Sequence, residues 1–298
     1  MRITLNGDLG SGKSTVGRLL SDELHIPFIS TGQIFREIGQ ISNMDALTTN
    51  LAAEDNSEID FAVDQKIKEM DQSLPDFIID SRLAWHFVRG ATKVYLSVCP
   101  ETAAQRVLSD RTRPTETYSN ISIAMDGLRQ RRDSENRRYR RLYGVDIDDM
   151  NNYDVVIITD DSDVTDIVRL IIDIANRNGR CKNWIPKSRL VPMISLGSAV
   201  GLSDAARSVA IDGFSLPLYV QNNFGFYFGS ANALASAFSC SSSLVPFVFA
   251  KPTFPGQKDG DVAELAKRTM TVSDFSAWED FGGVTLAFKR QIIPAYGS

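Results

Sequence analysis

The stretch Gly7-Asp8-Leu9-Gly10-Ser11-Gly12-Lys13-Ser14-Thr15 constrains this chain more than any other. It reads G-x-x-x-x-G-K-S, the phosphate-loop pattern. Its flanks suit that reading. Arg2-Ile3-Thr4-Leu5-Asn6 is a short apolar run ahead of it, and Val16, Leu19, Leu20 and Leu24 follow at helical spacing. Strand, glycine loop and helix together aim backbone N–H groups and a helix N-terminus at a polyphosphate. Gly7, Gly10 and Gly12 let the backbone turn and approach the phosphates with no Cβ in the way. Lys13 is a mobile point charge for the β- and γ-phosphates, and the Ser14 hydroxyl is placed to ligate Mg²⁺.

Composition narrows the setting. At 298 residues, two domains are expected, and the chain can bury a core without disulfides or metals. A net charge of −5 argues against general attraction to nucleic acid or anionic lipid, while leaving room for local basic patches. Cys99, Cys181 and Cys240 are odd in number and lack C-x-x-C spacing, which predicts reduced thiols in a cytoplasmic compartment (the host's, if viral). His25 and His86 are the only histidines, so a His-rich metal site is excluded. The loop at the N-terminus leaves no room for a signal peptide, and no apolar run reaches membrane-spanning length.

Apolar runs at 26–30, 77–82, 93–98 and 155–159 read as further strands. Helices are expected after the loop, around Ile59–Met70, over Glu101–Asp110, from Ile121 to Leu142, and along the stripe Val164, Ile167, Val168, Ile171, Ile172 and Ala175. Residues 43–56 are polar and read as a helical or loop segment. Alternating strands and helices predict an α/β domain: a parallel five-stranded sheet with helices on both faces. Its carboxyl edge is where the phosphate loop, the 30–36 turn and Asp80-Ser81-Arg82 must meet. Asp80, at a strand end, is suited to hold Mg²⁺ or orient an attacking oxygen, or else only caps the next segment. Asp60 and Asp64, one helical turn apart, read as a solvated face.

Residues 1 to about 178 resemble P-loop nucleoside-monophosphate kinases of the cytidylate kinase type. The marks are G-D-L-G-S-G-K-S-T, I-S-T-G-Q-I-F-R, I-I-D-S-R-L-A and E-N-R-R-Y-R-R-L-Y-G-V-D-I-D-D-M, followed by Y-D-V-V-I-I-T. The resemblance implies a three-layer kinase with ATP and Mg²⁺ as cofactors. ATP would lie on Gly7, Asp8, Leu9, Gly10, Ser11, Gly12, Lys13, Ser14 and Thr15, with Mg²⁺ on Ser14 and Asp80. It implies acceptor contacts from Arg36 and Arg82, although Arg36 also reads as a solvated arginine. In such kinases an arginine-bearing lid closes over the transferring phosphate. Here seven arginines fall within 129–141, interleaved with Asp133 and Glu135 at i,i+4 spacing. Lys13, Asp80, Arg132 and Arg137 are the expected catalytic set, with Arg106 and Arg111 as weaker candidates. The lid is the reading favoured; the strip also reads, without excluding it, as a salt-bridged exposed helix or a contact for a nucleic-acid backbone. The bacterial D-x-x-D-S-x-R pattern is compressed here to Asp133-Ser134-Glu135-Asn136-Arg137, which leaves acceptor choice open.

Near Asn178-Gly179-Arg180 charge becomes sparse while Ser, Phe, Gly and Pro rise. The expected division is a kinase-like domain at 1–178 and a smaller α+β domain at 179–298. Residues Trp184 to Ala250 faintly resemble a ParB-like domain: I-P-x-S-x-L, a strand pair turning at Asn222-Asn223, a small-residue helix, then a strand with V-P. That family's phosphate-handling His and Arg are replaced by Ser230, Ala231 and Asn232, which implies binding without catalysis, or an unrelated packing domain. The acceptor expected first is the hydroxymethyl group of 5-hydroxymethyluracil in phage DNA, since kinases of that kind look like P-loop nucleotide kinases and a second domain would suit a DNA substrate. The alternatives are free CMP or dCMP, and a non-catalytic nucleotide-dependent switch. Expected partners are ATP and a pyrimidine nucleotide, free or within DNA, without a membrane; oligomeric state stays open.

Overall fold

The computed structural model describes residues 1–32, 58–110, 118–177, 183–192, 216–221, 223–227, 231–239, 244–249, 272–282 and 285–288. Two compact units result: Met1–Thr159 with Ile167–Arg180, and Asp160–Asp166 with Cys181–Ser298. The 43–56 segment, Arg36 and Arg111 lie outside the described residues.

In the first unit, β1 (Arg2–Gly7), β2 (Phe28–Ser30), β3 (Phe77–Asp80), β4 (Thr92–Ser97) and β5 (Val155–Ile158) lie in the order β2-β3-β1-β4-β5. Each adjacent pair is parallel. β1, β3 and β5 are buried along almost their whole length, as strands covered on both faces must be. Register sets the site: Asp80 stands opposite both Leu5 and Ser30, and Gly7 opposite Leu96. The loop after β1 and the end of β3 therefore open at the same sheet edge.

Helix α1 (Lys13–Leu24) buries Val16, Gly17 and Leu20. It packs so closely on β2 that a Cβ at Gly17 would stand 2.2 Å from the Phe28 ring. Helix α2 (Glu58–Ser73) seats Ile67 and Met70 against Phe77, Ile79 and Ala84, the last from the short helix α3 (Ala84–Phe87). Helices α4 (Pro100–Ser109) and α5 (Ile121–Tyr143) share a cluster of Ala103, Ala104, Val107, Ala124 and Leu128, which also takes in Leu9 of the loop. The caps explain the bounds of α5. The Asn120 side chain accepts from the Ile123 N–H at 3.0 Å, and Gly144 ends the helix at φ 67. Helix α6 (Val164–Arg177) buries Ile167, Val168, Ile171 and Ile174 as one stripe.

The second unit contains β6 (Asn183–Pro186), β7 (Leu190–Pro192), β8 (Leu216–Gln221), β9 (Phe224–Tyr227), α7 (Ala231–Ser239), β10 (Leu244–Phe249) and α8 (Val272–Gly282). β8 and β9 form an antiparallel hairpin with Asn223 at φ 60. β10 runs parallel to β8 and antiparallel to β6. Trp278 stacks on Phe238 at 5.5 Å, and Phe288 meets Phe224 edge-on at 5.3 Å. Residues 272–282 and 285–288, where the sequence offers no motif, thus supply much of the described core of this unit. Arg189 is buried against Asp161 at 2.6 Å and Asp160 at 3.5 Å, and the Lys187 ammonium donates to the Phe238 carbonyl at 2.9 Å. Among the described residues no helix is long and apolar enough to cross a membrane.

Candidate active site

The three loop glycines turn out to have different tasks. A Cβ on Gly7 would fall 2.1 Å from the Leu96 carbonyl oxygen, and one on Gly10 2.9 Å from the Ala103 backbone, so these two seat the loop on β4 and α4. Gly12 alone has open space where its Cβ would be, and its φ of 88 is left-handed. As the N-cap of α1 it brings no side chain, and with the Thr15 N–H donating to its carbonyl at 3.0 Å, the N–H groups of Lys13 and Ser14 are the first-turn donors for an external anion.

Lys13 folds back on the loop. Its ammonium donates to the carbonyls of Asp8 at 2.6 Å and Gly7 at 3.1 Å. Burial, with repulsion from Arg82, brings its pKa down to about 7 against the pull of Asp80 and Asp8. The Ser14 hydroxyl donates to the Asp80 carboxylate at 3.2 Å, and the Ser30 hydroxyl to the same oxygen at 3.3 Å. Thr31 donates to the Asp80 carbonyl at 3.1 Å. Ser14 and Asp80 thus present two hard oxygens side by side, a donor set that fits Mg²⁺.

One cleft joins this edge to α2 and α5. Its walls include Gly12, Lys13, Ser14 and Asp80 together with Arg82, Arg131 and Arg138. Glu135 gathers the arginines: Arg82 Nε lies at 2.7 Å, Arg131 Nε at 3.3 Å and Arg132 Nη1 at 4.0 Å. Burial alone would raise the Glu135 carboxyl, yet Arg82, Arg131, Arg132 and Arg138 overcome it and hold the pKa down to about 2. Arg82 also donates to the Gly7 carbonyl at 2.8 Å, tying α5 to the loop through Glu135.

Asp60 and Asp64 correct the expectation of a solvated face: they are 3% and 4% exposed and line the cleft. Asp60 meets Arg138 at 2.9 Å, and Asp64 accepts from the Tyr143 hydroxyl. Burial pushes Asp60 up to about 6 against the attraction of Arg138, and raises Asp64 against the Tyr143 hydrogen bond. Both had looked solvated because their partners come from α5, far along the chain.

The arginine strip divides by helical phase. Arg131, Glu135 and Arg138 continue the buried stripe of Ala124 and Leu128, so they turn inward. Arg137 is exposed and does not line the cleft. Arg132 is absent from the cleft too. It lines a second pocket with Asp8 and Leu9, bonded to Asp148 and, at 2.9 Å, to the Tyr95 hydroxyl. The phase of Ala124 and Leu128 was the available signal for Arg131 and Arg138. Arg106 holds the loop from another side, donating to the Gly10 carbonyl at 3.4 Å and the Thr159 carbonyl at 2.8 Å.

Residues 2–161 match the model of the cytidylate kinase-like family. The cytidylate kinase of Methanothermobacter thermautotrophicus is 36% identical over 159 residues, covering 53% of this chain and 95% of that protein. That of Archaeoglobus fulgidus is 31% identical over 173 residues, covering 58% and 93%. A solved shikimate kinase from Bacteroides thetaiotaomicron aligns at 18% identity with a TM-score of 0.44, covering 59% of this chain and 98% of that one.

Proposed function

The chain belongs to the cytidylate kinase-like family, and from that premise we propose that its first unit transfers the terminal phosphoryl group of ATP to free CMP. One observation carries the reading. The phosphate-loop residues Gly12, Lys13 and Ser14 line one cleft together with Asp80, Arg82, Arg131 and Arg138. Phosphoryl transfer needs two polyanions held end to end with their charge neutralised, and little covalent help.

In this reading Gly12, Lys13 and the first turn of α1 hold the triphosphate, with Asp8, Leu9, Gly10, Ser11 and Thr15 shaping the loop. Ser14 and Asp80 would hold Mg²⁺, which supplies charge neutralisation between the phosphates. Arg82, Arg131 and Arg138 orient the acceptor phosphate, because guanidinium forks meet phosphate oxygens bidentately and stay charged. Arg36 is proposed for the same group. An oxygen of the CMP phosphate attacks the γ-phosphorus, the bond from γ-phosphorus to the bridging oxygen breaks, and ADP and CDP result. Asp60, on the same cleft, offers an acceptor that suits the amino group of cytosine. The second unit is proposed as a separate α+β domain over 179–298, without a catalytic task.

The hydroxymethyluracil-DNA reading is not favoured by these observations. Of the arginine strip, Arg131 and Arg138 are buried against Glu135 and Asp60, and Arg132 is held by Asp148, while Arg129, Arg137, Arg140 and Arg141 stay exposed, so three of the seven are committed within the fold. The relatives' names point to cytidylate. The test is labelled ATP offered with CMP, dCMP, hydroxymethyluracil-containing DNA and ordinary DNA. Label on CMP supports the proposal; label on DNA alone would replace it, and label on none would favour a nucleotide-dependent switch.

A further inference from the structure

The loop carries an anion of its own. Asp8 stands among the residues that receive a polyanion, and a carboxylate loose at that place would repel the phosphates. The structure turns it away. One oxygen accepts from the Tyr95 hydroxyl at 2.6 Å and the other from the Val98 N–H at 2.9 Å. The Tyr95 hydroxyl in turn accepts from Arg132 at 2.9 Å, and Arg132 is fixed by Asp148 and, at 3.5 Å, by the Ile147 carbonyl. Tyr95 is 2% exposed, so its hydroxyl has no water to exchange for these partners. A second tyrosine runs alongside. The Tyr153 hydroxyl donates to the Ile147 carbonyl at 2.9 Å and accepts from Asn6, whose side-chain oxygen takes the Gly7 N–H at 2.8 Å. Both chains link the 146–148 turn after α5 to the start of the phosphate loop, but only the Tyr95 chain ends on a charge.

We propose that Tyr95 and Arg132 are positioning residues that hold the Asp8 carboxylate off the triphosphate site. Arg132 therefore acts through Tyr95 rather than on the transferred phosphate. The inference rests on the ATP reading above. Loss of the Tyr95 hydroxyl frees one Asp8 oxygen to swing toward the phosphates. It weakens triphosphate binding more than it slows turnover, because the reacting atoms are untouched.

A double-mutant cycle tests this, with KM for ATP, kcat, and calorimetric affinity for a non-hydrolysable ATP analogue read for each variant. A hydrogen bond to a charged group is worth about tenfold in equilibrium terms, so Tyr95→Phe should raise KM for ATP about tenfold and change kcat less than about twofold. With Asp8→Ala already in place there is no carboxylate to release, and Tyr95→Phe should then add less than about twofold. Tyr153→Phe removes a comparably buried hydroxyl that meets Asn6, and its effect should simply add to that of Asp8→Ala. Additive behaviour of Tyr95→Phe, a fall in kcat at unchanged KM, or equal coupling by Tyr153→Phe would each overturn the proposal while leaving the ATP reading intact. A wild-type chain with no affinity for the analogue would overturn both.

Discussion

Glu135→Gln probes the node on which the cleft is built. Glu135 is 2% exposed and is surrounded by Arg82, Arg131, Arg132 and Arg138. Glutamine has nearly the shape of the protonated acid, so the exchange isolates the charge. The carboxyl falls from an ordinary 4.5 to about 2 in the folded protein. At 1.36 kcal/mol per pKa unit this charge stabilises the fold by about 3 kcal/mol at pH 7. Because the folded value lies below the unfolded one, that stabilisation is complete above about pH 4.5 and is withdrawn as pH falls toward 2. Urea titrations of wild type and variant should therefore differ by about 3 kcal/mol at pH 7 and by about 2 kcal/mol at pH 3.5. For a unit of this size the pH 7 difference corresponds to a Tm lowered by roughly 6–12 °C. A variant within about 0.5 kcal/mol of wild type at pH 7, or a gap independent of pH, would refute the account of Glu135 as the counter-charge of the cleft.

Three further outcomes follow from the same geometry. Burial and Arg82 hold Lys13 at about 7, and a bound polyanion raises it again, so nucleotide binding at pH 8 should take up close to one proton. Calorimetry in buffers of different ionisation enthalpy reads this, and buffer-independent heats would contradict it. Arg138→Ala should lower kcat/KM for CMP by at least about a hundredfold, since it strips a buried charge from Asp60 as well as from the acceptor. Arg137→Ala, on the exposed face, should change kcat/KM less than about threefold; the reverse ranking would restore Arg137 to the role its position in the motif suggested.

Much of the sheet was legible, for a local reason. Each strand of the first unit is a short apolar run bounded by turn residues, and the phosphate loop fixes which run comes first. The bounds of α5 could likewise be read from Asn120 and Gly144, because caps act within a few residues. The cleft was harder. Asp60 and Asp64 have the spacing of a solvated helix face, and only Arg138 and Tyr143, brought by tertiary folding, make their burial tolerable. Arg137 and Arg138 are neighbours with opposite fates, and composition cannot separate them; helical phase can. Nothing local marks Asp8 apart from the rest of the loop, because its partner Tyr95 comes from β4. In the second unit, Phe275 and Trp278 lie one helical turn apart, yet short length and sparse charge hid them as core.

The most direct test of the whole account is a ³¹P spectrum of the protein with ATP, Mg²⁺ and CMP, followed in time. The γ resonance of ATP should decline while the β resonances of ADP and CDP grow equally, with no inorganic phosphate, and Lys13→Ala should halt the change. Loss of ATP to inorganic phosphate with CMP intact, or undiminished CDP formation by Lys13→Ala, would contradict it.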